Sequence, residues 1–157
     1  MSVGTLFLSL DGRIGRLQWW IATIVIEAIT MLLIWLAGVP LSTDPSTFGL
    51  RFTEFIIQLL SIYPSFAISV KRLHDRDHPT VTVYPLFAAF MVMLIGNLFG
   101  YFPTSSSITL VEMIVIIIVI AIMLGYLVEL GFRRGKEGPN RYGPEPTDQT
   151  VSSMRPG

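Results

Sequence analysis

The chain has 157 residues, of which 52% are hydrophobic and 14% charged, against about 25% charged in an average soluble domain. Basic and acidic residues balance at 11 each, so net charge points to no nucleic-acid partner, and the lack of cysteine excludes disulfides, thiolate nucleophiles and zinc–thiolate sites. The charges fall in short clusters between long uncharged stretches that only lipid can face, which predicts an all-α polytopic membrane protein with four transmembrane helices in a bundle.

Residues 1–16 read as a cytoplasmic N-terminal segment. Its apolar stretch from Val3 to Leu10 precedes the first basic residues, the reverse of a cleaved signal peptide. Four spans then occupy residues 17–130. The first, 17–36, carries one charge, Glu27, and matches a hydrocarbon core about 30 Å thick. Trp19 and Trp20 mark its start and Trp35 its end, at headgroup level, and Pro40 prevents continuation. The second, 53–70, contains Pro64, which deprives the Leu60 carbonyl of its helical partner; Ser61, Ser65 or another helix is expected to compensate. The third, 84–102, opens on Tyr84 and Pro85, a fitting helix start, and carries Gly96 and Gly100 as a small-residue pair that could admit a neighbouring backbone. The fourth, 108–130, includes an Ile/Val run that would suggest a strand in water. In lipid a lone strand leaves its backbone unpaired, so a helix is expected.

Outside the spans, ten of the eleven basic residues lie on one side: Arg13 and Arg16; Lys71, Arg72 and Arg76; Arg133, Arg134, Lys136, Arg141 and Arg155. Only Arg51 lies on the other. The positive-inside rule makes the rich side cytoplasmic, with both termini there. Six acidic residues share that side, and the remaining positive excess suits an anionic leaflet.

Three polar clusters sit at the cytoplasmic helix ends: Gly12-Arg13-Ile14-Gly15-Arg16 leading into Trp19 and Trp20; Lys71-Arg72-Leu73-His74-Asp75; and Gly138-Pro139-Asn140-Arg141-Tyr142-Gly143-Pro144. With these three motifs in this order between four spans, the chain resembles a bacterial inner-membrane family, the domain of unknown function eight-zero-five, which includes the YhaH-like proteins. The resemblance covers roughly Phe7 to Pro146. After Asp75 the chain departs from it, with Arg76, Asp77, His78 and Pro79 where relatives carry a Gly-Ser-Gly-Trp type of turn. The resemblance implies the architecture and brings no activity with it.

Arg13 and Arg16 are one helical turn apart and would form a fork if the first helix reached back to them. Asp75 is the nearest carboxylate at a helix end, so one reading is an ion pair locking the first two helices together; a bound phosphate or lipid headgroup is a second, and setting topology a third. His74 and His78, four apart, could share a face and hold a metal, but no third ligand accompanies them. The plainer expectation makes His74 a hydrogen-bonding member of the Arg/Asp cluster and His78 a solvated loop residue. Residues 131–157 form a Gly/Pro-rich tail in which Asn140 and Tyr142 suggest a turn docked on the cytoplasmic surface, with disorder beyond Thr147.

Glu27 lies about 15 Å into its span, where an ionised carboxylate is costly. It reads either as part of a proton or cation relay or as a buried group that orders helix packing, with Ser61 and Tyr63 as candidate partners at similar depth. Glu129 and Arg133 are placed to pair at i, i+4. No motif implies a cofactor. Three function classes follow: an interaction protein whose partners are membrane lipids, another membrane protein or a second copy of itself; a small oligomeric transporter or channel using Glu27; and a lipid-headgroup-modifying enzyme using His74 and Asp75 as acid and base.

Overall fold

The computed structural model describes residues 2–39, 48–101 and 108–146. Pro40, the end of the third expected span at Phe102, and the segment from Thr147 including Arg155 lie outside the described residues. Within them the chain is helical, with no strand. A short helix α1 (Val3–Leu8) precedes α2 (Arg16–Leu36), α3 (Phe48–Asp75), a 3-10 turn (Thr80–Val83) running into α4 (Tyr84–Phe99), and α5 (Leu110–Leu127), which ends in a wider π turn (Val128–Phe132). Four of these helical stretches are long and apolar enough to cross a membrane.

α2 begins where Gly15 takes an extended backbone, φ −72° and ψ 167°, and its amide donates to Gln18 Oε1 at 3.2 Å, satisfying one free donor at the helix start. α4 has Pro85 in its first turn and closes on Gly100 at φ 69°, the left-handed cap that glycine adopts without a Cβ clash. Gly100 therefore ends the helix, and the Arg51 side chain lies against it; only Gly96 of the expected small-residue pair is buried in the helix. α5 opens on a reciprocal cap, in which Glu112 N donates to Thr109 Oγ1 at 3.3 Å and Thr109 N to Glu112 Oε2 at 2.8 Å. This accounts for Glu112 at a helix start.

α3 is the central element, packing against α1, α2 and α4, while α5 packs on α4 and returns its π turn to the start of α2. Of the α5 residues only Val119 is buried, and Ile114, Ile117, Ile118 and Ile120 are exposed, as an environment of lipid allows. The core gathers at the basic end: Ile14, Trp19, Ala22 and Ile26 meet Ile68, Val70 and Leu73, closed by Val83 and Leu130. At the opposite end a polar trio ties α3 to α4, with Glu54 accepting from Gln58 Nε2 at 2.7 Å and from Asn97 Nδ2 at 3.2 Å.

The third helix stops at Phe99 and the fourth begins at Leu110, each short of the expected bound, but the second departs furthest from the sequence expectation. The second helix runs to Asp75, beyond residue 70, because Lys71 through Asp75 are buried and paired inside the protein and continue the helix without facing solvent. It also starts at Phe48, ahead of 53. Pro64 lies within it, and the hydroxyl of Ser61, one of the groups expected to serve the Leu60 carbonyl, donates instead to Gln58 O at 2.7 Å, two residues earlier.

Candidate functional site

The C-terminus of α3 carries Asp75 into the middle of the basic end, where its side chain is nearly inaccessible. Arg13 donates to Asp75 Oδ1 from Nη2 at 3.0 Å and from Nε at 3.2 Å, and Arg72, one turn back on α3, donates to Oδ2. Arg13, Arg72 and Asp75 are 2%, 0% and 3% exposed. Two buried cations against one anion would leave an uncompensated charge, and backbone carbonyls supply the balance. Arg13 donates to the carbonyls of Lys136 at 2.6 Å, Gly138 at 2.7 Å and Gly143 at 3.3 Å. Arg72 donates to Leu130 O at 2.7 Å and to Arg133 O, the carbonyls left free where α5 ends and where the helix dipole favours a cation.

The tail is held by the same residues. Lys136 N donates to Asp75 O at 2.8 Å, and Asn140 Nδ2 to His74 O at 2.8 Å, capping the end of α3. The Tyr142 ring stacks on the His74 imidazole with centroids 3.7 Å apart and planes 4° from parallel, while Arg141 lies 4.8 Å over the Tyr142 ring. His74 Nε2 meets Thr80 Oγ1 at 3.1 Å. Gly135 passes so near the Asp75 carboxylate that any Cβ there would collide with it. Arg13, Arg72, His74, Asp75, Asn140 and Tyr142 thus come together in one assembly that joins four segments of the chain.

Arg16 does not join it. Because α2 starts at Arg16 and Gly15 is extended, Arg13 lies outside the helix and the two guanidinium groups do not form a one-turn fork; Arg16 is exposed and donates to Phe132 O at 3.2 Å. His78 is also not simply solvated: its Nε2 lies 3.5 Å from Glu129 Oε1. Glu129 collects Arg76 and, at 3.1 Å, Arg133. His74 and His78 thus engage different partners. A third ion cluster pairs Asp77 with Lys136 at 2.8 Å and Arg141 at 3.3 Å; the Lys136 hydrogen bond chiefly holds the Asp77 carboxyl below its ordinary range. Asp77 takes a left-handed backbone, φ 63°, which aspartate tolerates better than most side chains.

Within the helices, Glu27 lines a cavity of about 210 Å³ together with Ser61. Tyr63 does not: it donates to Leu8 O at 2.8 Å, on the side of α3 that holds α1. Residues two apart on a helix point away from each other, so Ser61 and Tyr63 could not both have reached Glu27.

Sequence reasoning missed Gly135, whose signal was only one glycine among many in the tail, and placed Lys71 in the second polar cluster without its partner. The Lys71 ammonium leaves the Asp75 assembly and donates to Thr5 O and, at 2.7 Å, to Leu6 O, fastening α1 across α3. It also missed Gly131, where a Cβ would come within 2.7 Å of Trp20 Cζ2; Trp20 Nε1 donates to the Gly131 carbonyl at 3.2 Å.

A family model described as "Protein of unknown function (DUF805)" matches residues 7–144. The chain belongs to the DUF805 family. The matched stretch runs from the end of α1 to the tail turn, so it contains every member of the Asp75 assembly. Among curated proteins, this DUF805 chain is similar to the "Uncharacterized protein YiiR" of Escherichia coli strain K12 and of Escherichia coli O157:H7, each 28% identical over 148 residues, covering 94% of this chain and 92% of the relative. No solved structure matches it significantly.

Proposed function

We propose that this DUF805 chain is a multi-pass protein of the bacterial inner membrane, with both ends cytoplasmic, that acts by binding anionic lipid headgroups at its basic end. The observation that carries this reading is the division of labour among the cations. Arg13 and Arg72 use their donors on Asp75 and on backbone carbonyls, while Arg16 at the start of α2 and Arg134, Lys136 and Arg141 in the tail have exposed side chains, the last two sharing Asp77. Arg16, Arg134 and Lys136 border a polar cleft of about 210 Å³ between the start of α2 and the tail, with Glu137 and Glu145 also on its wall. A phosphate could be gripped there by guanidinium forks while its acyl chains lie along the outward-facing helices. Binding is favoured over acid–base chemistry because Asp75 is saturated by two guanidinium groups and the His74 ring is covered by Tyr142, leaving neither placed to exchange a proton with a substrate.

Native mass spectrometry of the protein purified in mild detergent tests the reading. Phosphatidylglycerol should be retained over phosphatidylethanolamine. At about 1 kcal/mol per cation near a surface, Arg16→Gln with Arg134→Gln and Lys136→Gln should reduce that preference by about a hundredfold at low salt. Equal retention of both lipids by the wild type would overturn the proposal. A periplasmically active reporter at the C-terminus would overturn the orientation.

A further inference from the structure

The cavity that Glu27 lines is bounded by α2, α3, α4 and α5 and shares no lining residue with the cleft at the basic end. Tyr126 apart, the polar residues of its wall fall in two stripes. On α2, Trp19, Thr23 and Glu27 recur every four residues; on α3, Ser61, Ser65 and Ser69 do the same. Spacing of four places each set on one helix face. Five of the six carry neutral polar groups and the sixth is a carboxylate, with no Lys or Arg on the cavity wall. Trp19 Nε1 and Thr23 Oγ1 are buried and find no hydrogen-bond partner among the described residues, and Trp19 as a residue is 6% exposed. Glu27 itself is exposed, about 17 Å along α2 from Arg16 at helical rise, so in a bilayer its carboxylate opens onto hydrocarbon.

A carboxylate at that depth calls for a cation, and no Lys, Arg or His stands on the wall to supply one. Phe87, Phe90 and Tyr126 line the same space, and aromatic faces stabilise an organic ammonium where they would not a hydrated metal ion. A volume of 210 Å³ exceeds that of an apolar cavity of about 150 Å³ that takes up benzene. We propose that this cavity is a binding site for a lipophilic amine, a molecule that enters from the bilayer, sets its ammonium against Glu27, donates further to the Ser61 and Ser65 hydroxyls, and leaves its apolar body among the aromatic side chains. This site is independent of the headgroup cleft at the basic end.

The full chain, purified in mild detergent and titrated with dodecylamine or dodecanol, tests the proposal by native mass spectrometry. Dodecylamine should be retained at one per chain and dodecanol should not. Glu27→Gln should weaken amine retention by roughly tenfold or more, the loss of one charge-assisted partner in a desolvated site, whereas Glu27→Asp should preserve most of it. Ser65→Leu fills the cavity without touching the charge and should lower retention too, which keeps the test decisive should Glu27→Gln fold poorly. Equal retention of alcohol and amine, or wild-type retention in both Glu27→Gln and Ser65→Leu, overturns the proposal. So does proton flux in liposomes that Glu27→Gln abolishes while the wild type retains no amine, since the space would then hold a water path. Loss of amine retention with phosphatidylglycerol preference intact separates failure here from failure at the basic end.

Discussion

Replacing Asp75 by Asn would leave Arg13 and Arg72 buried with no anion between them. Breaking a buried pair by removing one partner costs about 3–5 kcal/mol, so Asp75→Asn should melt far below the wild type in detergent, as followed by circular dichroism. Arg13→Lys should also destabilise, because one ammonium cannot reproduce donors that reach Asp75 and three tail carbonyls at once. Gly135→Ala should do nearly as much harm as Asp75→Asn, since the added methyl displaces the Asp75 carboxylate. A pH effect belongs to Asp77. Its carboxyl titrates below its ordinary value because Lys136 donates to the charged form. The contribution is therefore fully present above about pH 3.9, the ordinary aspartate value, and is lost as pH falls further, through the lowered value. Protease sensitivity of the tail should rise on acidification in that window, and in Asp77→Asn it should be raised at neutral pH and change less with acid.

At the scale of elements, the long uncharged runs were readable because a bilayer leaves helices of about 20 residues as the only open choice. Their ends were less readable. A span reading stops at charge, yet Lys71, Arg72 and Asp75 continue α3 because they find partners on α1, the segment before α2 and the π turn after α5, none of which is near in sequence. Arg13 and Arg16 looked like a helical pair, and the extended Gly15 between them decided otherwise. Asn140 and Tyr142 were legible as a docked turn from the breakers around them; that His74 would be the surface they dock on was not. The fastening of α1 is separately testable. Lys71→Met removes an ammonium bound to two carbonyls, worth about 1.5–3 kcal/mol for charged hydrogen bonds, and should raise hydrogen exchange across Val3–Leu8 with little change in α4 and α5. Gly131→Ala should push Trp20 from its seat and change the tryptophan emission.

For the whole molecule, the two ends of the bundle differ in kind. One holds the core, the buried ions and nearly all the cations; the other is tied by the Glu54, Gln58 and Asn97 trio. If anionic lipid engages the basic end, the protein should melt higher in nanodiscs with phosphatidylglycerol than in purely zwitterionic ones. The difference should shrink at 1 M salt, where the Debye length falls to about 3 Å.

The Asp75 assembly has a temporal side as well. Its parts lie at residues 13, 72–75 and 135–143, so the carbonyls that balance Arg13 are made only after both Arg13 and Asp75. Until the tail leaves the ribosome, Arg13 has its carboxylate but lacks those carbonyls, and the basic end cannot close. A chain that stops short of Lys136 would remain open at a charged centre and offer itself to membrane proteases. The lock therefore closes in the order in which its parts are made, the tail last.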